Sequence, residues 1–235
     1  MCGRFTRMYT WREIYSMYMG IKLIHPDEDP EPAFNIAPTQ LTWALVPDGE
    51  RQGTVVAQLL RWGLVPMWSK DCKGGYATIN ARVESAATKP AFRGAWKQRR
   101  CLVPASGYYE WPGEGSAKQP YFIKPAADPV LMFAGLYERW TPRDGGPPID
   151  SFAIVTMDAA GPVAEMHDRM PLILPPELCR DWVEGDEVAA AALAQAAPVP
   201  NLQFHAVDKA VGNVRNQGER LIAPLEVATA ETPRS

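Results

Sequence analysis

Proline is the residue that most limits how this chain can fold. It accounts for 23 of the 235 residues, about twice the usual share of roughly 5%, and it recurs from end to end. Because proline lacks a backbone N–H and disrupts the interior of a helix, this distribution favours short strands and tight connections over long helices. Hydrophobic residues make up 46% of the chain, so a substantial core is still expected.

Hydrophobic periodicity divides the chain into short elements. Thr10 and Glu13 form a capping box at the start of an amphipathic helix that reaches Ile21. Further helices are predicted for residues 90–98, 176–183 and 187–195. Strands are predicted for residues 41–46, 54–62, 76–83, 101–103, 107–111, 120–123, 130–137, 151–156, 172–174 and 203–207.

The order of these elements predicts a fold class. No stretch between Thr10 and Pro224 has the composition of a linker, and the sequence contains no internal repeat. Many strands with a few short helices indicate an α+β fold built on mainly antiparallel sheet. We therefore expect a single compact domain over residues 1–224. Residues 225–235 are small and polar, and we expect them to form a disordered tail.

Charge and composition argue against several classes of protein. A net charge of −3 gives no general attraction to nucleic acid, so any such binding must come from a local patch. No apolar run approaches the ~20 residues of a membrane-spanning helix, and the first residues do not resemble a signal peptide. The four cysteines and three histidines are scattered, which predicts neither disulfides nor a zinc site. We expect a cytoplasmic protein without membrane association, metal or cofactor.

The second residue has the most distinctive chemistry. A small residue at this position permits removal of Met1, which leaves Cys2 with a free α-amine and a thiol on adjacent carbons. The amine titrates near pH ~8, so a useful fraction is neutral at pH 7. Such a 1,2-aminothiol can trap an aldehyde, first as an imine and then as a thiazolidine when sulfur closes on the same carbon. The alternative is that Cys2 is an inert, buried cysteine.

Glu110 lies in the predicted strand at residues 107–111. Strand alternation places Tyr108 and Glu110 on one face, with Tyr109 and Trp111 on the other. A carboxyl group among large aromatic rings is desolvated, which raises its pKa and suits proton transfer near neutral pH. A surface glutamate on an aromatic strand is the alternative.

His167 and Asn80 are further polar candidates. His167 precedes the apolar residues 172–174, where an imidazole can act as an acid or base or can be a core histidine bonded to backbone. Asn80 is an amide within a predicted strand, and it must find hydrogen-bond partners if it is buried. Arg82 and Glu84 alternate with Asn80 on one face, so these two side chains can also pair with each other.

A basic stretch interrupts this acidic chain. Residues 82–100 carry six cations and one carboxylate, a local charge of +5 (6 − 1). The cations are Arg82, Lys89, Arg93, Lys97, Arg99 and Arg100, and the tryptophans in or near the stretch are Trp62, Trp68, Trp96 and Trp111. Cations for phosphates and aromatic rings for bases are typical of a single-strand binding surface. A solvated helix face with core tryptophans is the alternative.

Eight motifs occur in a fixed order along the chain. They are Met1-Cys2-Gly3-Arg4-Phe5, Asn35-Ile36-Ala37-Pro38, Trp62-Gly63-Leu64-Val65-Pro66, Asn80-Ala81-Arg82-Val83-Glu84, Cys101-Leu102-Val103-Pro104, Gly107-Tyr108-Tyr109-Glu110-Trp111, His167-Asp168-Arg169-Met170-Pro171 and Val211-Gly212-Asn213-Val214. Together they resemble the SOS-response-associated peptidase (SRAP) family of abasic-site sensors. The short tail after Pro224 is similar to that of the bacterial type.

This resemblance implies a SRAP domain with a barrel-like core of antiparallel sheet and a channel for single-stranded DNA that contains abasic sites. Cys2 matches the residue that members cross-link to the lesion, and Asn80, Glu110 and His167 match the other active-site positions. Arg4 and Arg82 match phosphate-contacting positions. The full set of DNA-binding candidates is Arg4, Asn35, Pro38, Trp68, Arg82, Lys89, Trp111 and Thr156. The resemblance also implies a monomer, located on the nucleoid when it is bound to damaged DNA.

The resemblance, read with the residue chemistry, assigns a role to each group. His167 protonates the ring oxygen of the sugar, Glu110 shuttles protons, and Asn80 holds the N-terminus or the imine. The same residues permit slow strand cleavage by β-elimination and reversal of the cross-link. Two other classes stay open: a hydrolase in which Cys2 attacks a peptide bond, including the one that joins it to Met1, and a non-catalytic single-strand binding module.

Overall fold

A computed structural model of the chain describes residues 2–18, 20–72 and 75–225. The predicted tail lies outside the described residues from position 226 onward. None of the helices in the described ranges combines the length and the apolar composition needed to cross a bilayer.

Strands make up most of the regular structure in the described residues. They are β1 (Phe5–Arg7), β2 (Lys22–Ile24), β3 (Ala33–Ile36), β4 (Leu41–Pro47), β5 (Thr54–Trp62), β6 (Asn80–Arg82), β7 (Arg100–Ala105), β8 (Gly107–Glu110), β9 (Tyr121–Pro125), β10 (Leu131–Trp140), β11 (Ile149–Asp158), β12 (Arg169–Pro171) and β13 (Leu202–Ala206). The helices are α1 (Trp11–Met17), α2 (Val83–Ala86), α3 (Arg93–Gln98), α4 (Pro176–Glu184) and α5 (Glu187–Ala196). The predicted α+β class with short helices is confirmed.

Five of the strands form a closed ring. They follow the order β11-β10-β7-β4-β5, and the ring closes because β11 also pairs in parallel with β5. The neighbouring strands β2, β6 and β12 extend it outside the ring. Closure leaves these five strands without a free edge and encloses a packed interior. The barrel-like core is confirmed, and its pairings are antiparallel apart from three that involve β5 or β11.

A second, wholly antiparallel sheet has the order β13-β9-β8-β1-β3. Phe5 and Tyr108 from this sheet pack with Trp62 and Phe133 of the ring in one apolar cluster, to which Cys2 also belongs. The rings of Phe5 and Trp62 meet edge to face, with their centroids 4.9 Å apart. The shared cluster therefore holds the N-terminal residues between the two sheets.

Several predicted boundaries are wrong. Instead of one strand, residues 76–83 contain the end of a 3-10 turn (Gly75–Thr78), then β6 and the start of α2, because only three residues align with β11 before the chain leaves the sheet. The strand predicted at residues 172–174 is an isolated bridge from Ile173 to Phe133, and the true strand is β12. Helix α3 begins at Arg93 rather than at residue 90.

The first helix shows both a success and an error. Its capping box forms as predicted, with the Glu13 N–H donating to Thr10 Oγ1 at 3.2 Å and the Thr10 N–H donating to Glu13 Oε2 at 2.7 Å. The helix ends at Met17, however, and Ile21 packs against the core from beyond it. Strands β1, β2 and β3 were not predicted, since each has only three or four residues.

Candidate active site and nucleic-acid interface

The N-terminal segment runs antiparallel beside β8. Phe5 pairs with Tyr108, and the N–H of Tyr109 donates to the carbonyl of Arg4 at 3.0 Å. This register carries the chain preceding Phe5 towards Glu110. Cys2, near the beginning of this segment, has no exposed surface.

Asn80 holds the backbone of Cys2. Its Nδ2 donates to the Cys2 carbonyl oxygen at 2.8 Å. Asn80 reaches this point because β6 pairs with β11, where Asn80 stands opposite Ile154. The Oδ1 of Asn80 is buried and accepts no hydrogen bond from the described residues. The same amide group that contacts Cys2, the candidate nucleophile, therefore also carries a buried acceptor without a partner among the described residues.

Glu110 is desolvated, as the aromatic strand pattern predicts. It is 3% exposed, and burial, with a smaller contribution from the Asp168 carboxylate, raises the pKa of its carboxyl group to about 7. Both its acid and its base forms are therefore populated at neutral pH. This is the protonation behaviour required of a group that takes up and returns protons in one reaction.

The thiol of Cys2 is kept protonated. Burial is the main cause that raises the pKa of the Cys2 thiol, and the negative charge of Glu110 raises it further. A cysteine that attacks as a thiolate needs the opposite environment, one that lowers its pKa. Sulfur is therefore a poor first nucleophile in this site.

The sequence pattern indicates only a bulky aromatic side chain at Tyr108, yet this side chain also brings a hydroxyl group to the site. It is fully buried, and its hydroxyl has no hydrogen-bond partner among the described residues. Burial raises the pKa of Tyr108, and its electrostatic interactions with Cys2 and Glu110 act in the same direction, which places the three groups in one environment. A buried hydroxyl without a partner costs about 1–3 kcal/mol. No local sequence signal reveals such a group.

Two neighbours compete for Nδ1 of His167. The backbone N–H of Arg169 lies 2.9 Å from Nδ1 and donates to it when that nitrogen carries no proton. Asp168 Oδ1 lies 2.6 Å from the same Nδ1 and accepts a hydrogen bond from Nδ1–H when the ring is protonated. Burial lowers the pKa of His167, and Asp168 opposes that shift. Since Asp168 also raises the pKa of Glu110, the imidazole and the two carboxyl groups are electrostatically coupled.

Arg169 fixes the segment that carries His167. Its guanidinium is almost fully buried and donates to both carboxylate oxygens of Glu84, at 2.9 and 3.0 Å, and to Asp158. It also donates to the carbonyl of Thr156 at 2.7 Å. The alternative in which Glu84 pairs with Arg82 is therefore wrong, because Glu84 lies on α2 rather than on a strand and pairs with Arg169 instead.

Three of the DNA-binding candidates meet beside the N-terminal segment. Arg4 donates to Asn35 Oδ1 at 2.7 Å, and its guanidinium carbon lies 5.7 Å from the centroid of the Trp111 ring. Asn35 is fully buried, so it acts here as a support rather than as an exposed contact. Arg4 also donates to the carbonyl of Val211, at 3.0 Å, which joins this group to the C-terminal part of the chain.

Two further candidates lie side by side on the ring. Arg82 and Thr156 stand opposite each other in the parallel pair of β6 and β11. Arg82 is exposed, whereas Thr156 is buried and its hydroxyl has no hydrogen-bond partner in the described ranges. Of these two, the arginine is the one that can reach a phosphate.

The remaining candidates lie on exposed loops. Trp68 is 62% exposed, and its indole N–H donates to the carbonyl of Pro90 at 3.3 Å, beside the exposed Lys89. Pro38 is half-buried in the turn between β3 and β4. The next residue, Thr39, has a φ of +75°, a left-handed conformation that is strained for a β-branched side chain.

Part of the basic stretch at residues 82–100 and its tryptophans serve the interior of the protein rather than a DNA-binding surface. Trp62 and Trp96 are fully buried. Arg99 pairs with Glu138 at 2.8 Å. The buried Arg100 donates to backbone carbonyls at the ends of two helices, including that of Trp182 at 2.6 Å. The exposed cations that remain for phosphates are therefore fewer than the sequence count suggests.

The distant motifs converge on the N-terminal segment: Asn80 donates to the Cys2 carbonyl, Glu110 acts on the Cys2 thiol, Asp168 acts on Glu110, and Arg4 lies over Trp111. No group of three or more potential metal-ligating side chains occurs in the described ranges, and the four cysteines are free. This convergence on the second residue is the arrangement expected of a SRAP protein. The chain belongs to the family described as SOS response associated peptidase (SRAP), which matches residues 1–214.

Curated relatives are similar along most of the chain. The abasic site processing protein YedK of Escherichia coli is 36% identical, over 96% of this chain and 100% of its own length. YoqW of Bacillus subtilis, named in the same way, is 34% identical over 94% of this chain and 99% of its own. The abasic site processing protein HMCES of Gallus gallus is 35% identical over 72% of this chain and 57% of its own.

Solved structures share the fold. A protein from Bacteroides thetaiotaomicron superimposes with a TM-score of 0.78 over 95% of this chain and 99% of its own, at 22% identity, which supports the fold alone. A phage-related protein from Bordetella bronchiseptica gives a TM-score of 0.67 at 29% identity, over 88% of this chain and 95% of its own.

Proposed function

We propose that this protein processes abasic sites in single-stranded DNA by forming a covalent thiazolidine cross-link through Cys2 after Met1 is removed. The observation that carries the proposal is the hydrogen bond from Asn80 to the carbonyl of Cys2, at 2.8 Å, beside a carboxyl group whose pKa is about 7. The names of the relatives, which are abasic site processing proteins, support the same substrate.

The environment of Cys2 favours attack by nitrogen before sulfur. Because burial raises the pKa of the thiol, the neutral α-amine is the better nucleophile towards C1′ of the open-chain sugar. Glu110 takes a proton from the attacking nitrogen and returns it to the departing hydroxyl group, so that the imine forms and one water leaves. The S–H then adds across the imine: sulfur bonds to C1′ and the proton goes to nitrogen. Holding the groups together gives this closure a high effective concentration.

His167 is suited to open the sugar. An abasic sugar is mainly a closed hemiacetal, and its ring oxygen must gain a proton as the aldehyde is released. The imidazolium form, whose Nδ1–H donates to Asp168, gives its Nε2 proton to that oxygen and returns to the neutral ring. Asn80 keeps the N-terminal residue in place through both steps.

The proposal includes a wider role. A covalent cap on the lesion shields it in the DNA damage (SOS) response and places the protein on the nucleoid. Because an imine at C1′ acidifies the neighbouring carbon, slow strand cleavage is expected as a side reaction, and the same groups can reverse the cross-link. The rival peptidase interpretation needs a thiolate at Cys2, and burial of the thiol works against it.

The decisive experiment is the intact mass of the protein after incubation with an abasic single-stranded oligonucleotide. We expect a species equal to the protein without Met1 plus the oligonucleotide minus one water, stable on a denaturing gel. Cys2→Ser and a variant with a residue added before Cys2 should give none, and the half-buried Cys72 provides a matched control in Cys72→Ser. If the complex dissociated fully on denaturation, the protein would instead be a non-catalytic single-strand binding module.

The catalytic groups are tested by rate. Glu110→Gln and His167→Ala are each expected to slow cross-link formation about a hundredfold or more, the usual contribution of a general acid or base. Binding to undamaged single strands should stay nearly unchanged. If Cys2→Ser kept a peptide-cleaving activity and cross-linking were absent, the hydrolase interpretation would replace this one.

A further inference from the structure

The motif Val211-Gly212-Asn213-Val214 has no role in the chemistry proposed above. In the structure it leads into an exposed segment, residues 212–215, which we call the outer loop. Val211 is completely buried with Tyr109 and Phe122, while the outer loop itself is exposed. Val214 is 42% exposed, and Arg215 follows it at the tip.

The outer loop is held by a side chain at the centre of β3. Asn35 Nδ2 lies within hydrogen-bond distance of the carbonyl oxygens of Val211, Asn213 and Asn216, at 3.1, 3.0 and 3.1 Å. Its Oδ1 accepts from Arg4. One buried amide therefore ties both ends of the loop to the strand that pairs with β1.

Other contacts reinforce the same conformation. Gln217 Oε1 accepts from the N–H of Phe34 at 2.9 Å, and Asn216 Nδ2 donates to the carbonyl of Ala210 at 2.8 Å. Asn213 Oδ1 accepts from the N–H of Arg215 at 3.1 Å, which closes a turn at the tip. These contacts fix the backbone of the outer loop and leave the side chains of Val214 and Arg215 exposed to solvent.

Its position is next to the site. Arg4 donates to Val211 and lies over Trp111, and it is only two residues from Cys2. The guanidinium of Arg215 makes no hydrogen bond or ion pair with any other described residue, so this cation is not neutralised within the described part of the protein. An ordered, unneutralised arginine beside an exposed aliphatic side chain suits a phosphate and the adjoining sugar or base.

We infer that the outer loop forms one wall of the DNA channel, with Arg215 binding a backbone phosphate of the strand that flanks the abasic nucleotide. Val214 packs against the sugar or base next to that phosphate. Asn35 is a positioning residue for this wall. The inference rests on the proposed function for its substrate, but the contact itself involves undamaged nucleotides and can be tested without the cross-link.

The test measures affinity for an undamaged single-stranded oligonucleotide across a salt series. Arg215→Ala is expected to weaken binding about three- to tenfold and to reduce the slope of log K against log salt by about 0.7, the loss of one phosphate contact on a single strand. The control is Arg51→Ala, which removes the same charge from a different place. Arg51 lies in the turn of the β4–β5 hairpin, at the opposite end of the hairpin from the DNA-binding candidate Pro38. Arg215→Ala that binds no more weakly than Arg51→Ala would overturn the inference.

A second comparison isolates the anchoring by Asn35. Asn35→Ala releases the loop, so adding Arg215→Ala to it should weaken binding by less than Arg215→Ala does alone. Full additivity would refute the positioning role. If the wild-type protein formed no cross-link, the proposed function would fail while the binding results would still decide whether the loop contacts the strand.

Discussion

The carboxyl group of Glu110 combines two properties that oppose each other. It is buried deeply enough for its pKa to reach about 7, which is useful for proton transfer, but a buried charge weakens the fold. The group's folded pKa lies above its ordinary value of 4.5. Its contribution to stability is therefore fully present below pH 4.5 and is lost as the pH rises through about 7.

Replacing this carboxyl group should therefore change how stability depends on pH. At pH 4 we expect Glu110→Gln to be about as stable as the wild type, since the carboxyl group is then mostly neutral in both the folded and the unfolded state. At pH 8 the variant should be more stable, by up to about 3 kcal/mol, which is the pKa difference converted at 1.36 kcal/mol per unit. Urea denaturation at the two pH values measures this. The exposed Glu177→Gln is the control, and an equal effect of Glu110→Gln at both pH values would contradict the assignment.

Asp168 affects two titrating groups at once, so its replacement makes a separate prediction. Its carboxylate raises the pKa of both His167 and Glu110, and Asp168→Asn should lower both. Both limbs of the pH–rate profile for cross-linking should then move to lower pH together. Because the Asp168 side chain is 81% exposed, salt screens it, and we expect the rate at pH 7 to change by less than about tenfold.

The His167 pKa can be followed directly by NMR titration of the imidazole Cε1–H. The difference in the His167 pKa between Asp168→Asn and the wild type should shrink in high salt, because salt screens the interaction between the exposed Asp168 carboxylate and the imidazole. If the pH–rate profiles of Asp168→Asn and the wild type superimposed at low salt, Asp168 would not be coupled to the reaction.

What the sequence could predict about single residues depended on the range of the signal. The desolvation of Glu110 follows from alternation within five consecutive residues, so it was predictable. The internal roles of Asn35 and Arg100 were not, because their partners lie far away in the chain, at Val211 and Trp182. The orphaned hydroxyl of Tyr108 depends on packing from several elements, which no local pattern encodes.

At the scale of elements, length decided which ones were visible. The long strands β4, β5, β10 and β11 carry enough alternating residues to be predicted with nearly correct bounds. Strands of three residues, such as β1 and β6, exist because a partner strand supplies their hydrogen bonds. The site is built on these short elements: β1 leads from Cys2 and β6 begins at Asn80. The short elements next to Cys2 and Asn80 were therefore the least predictable, whereas the strand that carries Glu110, β8, was predicted with nearly correct bounds.

Helices α3 and α4 share one capping side chain, and this makes an element-scale prediction. Arg100 donates to the carbonyls of Trp96 at 2.5 Å and Trp182 at 2.6 Å, and to that of Gly185. Arg100→Met keeps the length of the side chain but leaves these carbonyls without a donor. We expect a loss of about 3 kcal/mol in the free energy of unfolding, measured by chemical denaturation.

The control for Arg100 is Lys97→Met on the same helix. Lys97 is exposed and only 3.7 Å from Glu187, so its replacement should cost less than about 1 kcal/mol. Arg100→Met should leave DNA affinity per folded molecule at the level of this control. Equal stability losses in the two variants would mean that Arg100 does not cap the helices.

At the scale of the whole molecule, the site depends on the junction of the two sheets. Cys2 and Phe5 come from one side, and Trp62 and Phe133 from the other, in a single cluster. The absence of a linker composition predicted one domain, but closure of the ring was expected only from the family resemblance and not from the pattern of elements. Closure depends on the parallel pair between β5 and β11, about 90 residues apart in the chain, and no local pattern specifies that pairing.

A shared cluster should make the two sheets unfold together. We expect one transition in guanidinium chloride, in which tryptophan fluorescence coincides with far-UV circular dichroism from all strands. The fluorescence reports all eight tryptophans, of which Trp11, Trp62, Trp96 and Trp182 are fully buried. Phe5→Leu, at the junction, should lower the midpoint of both signals equally, at a cost of about 1–2 kcal/mol. If the five-stranded sheet were a separate unit, this variant would move only one part of the circular dichroism change and leave the fluorescence midpoint in place. The position of Cys2 would then depend on the stability of that sheet alone rather than on the whole fold.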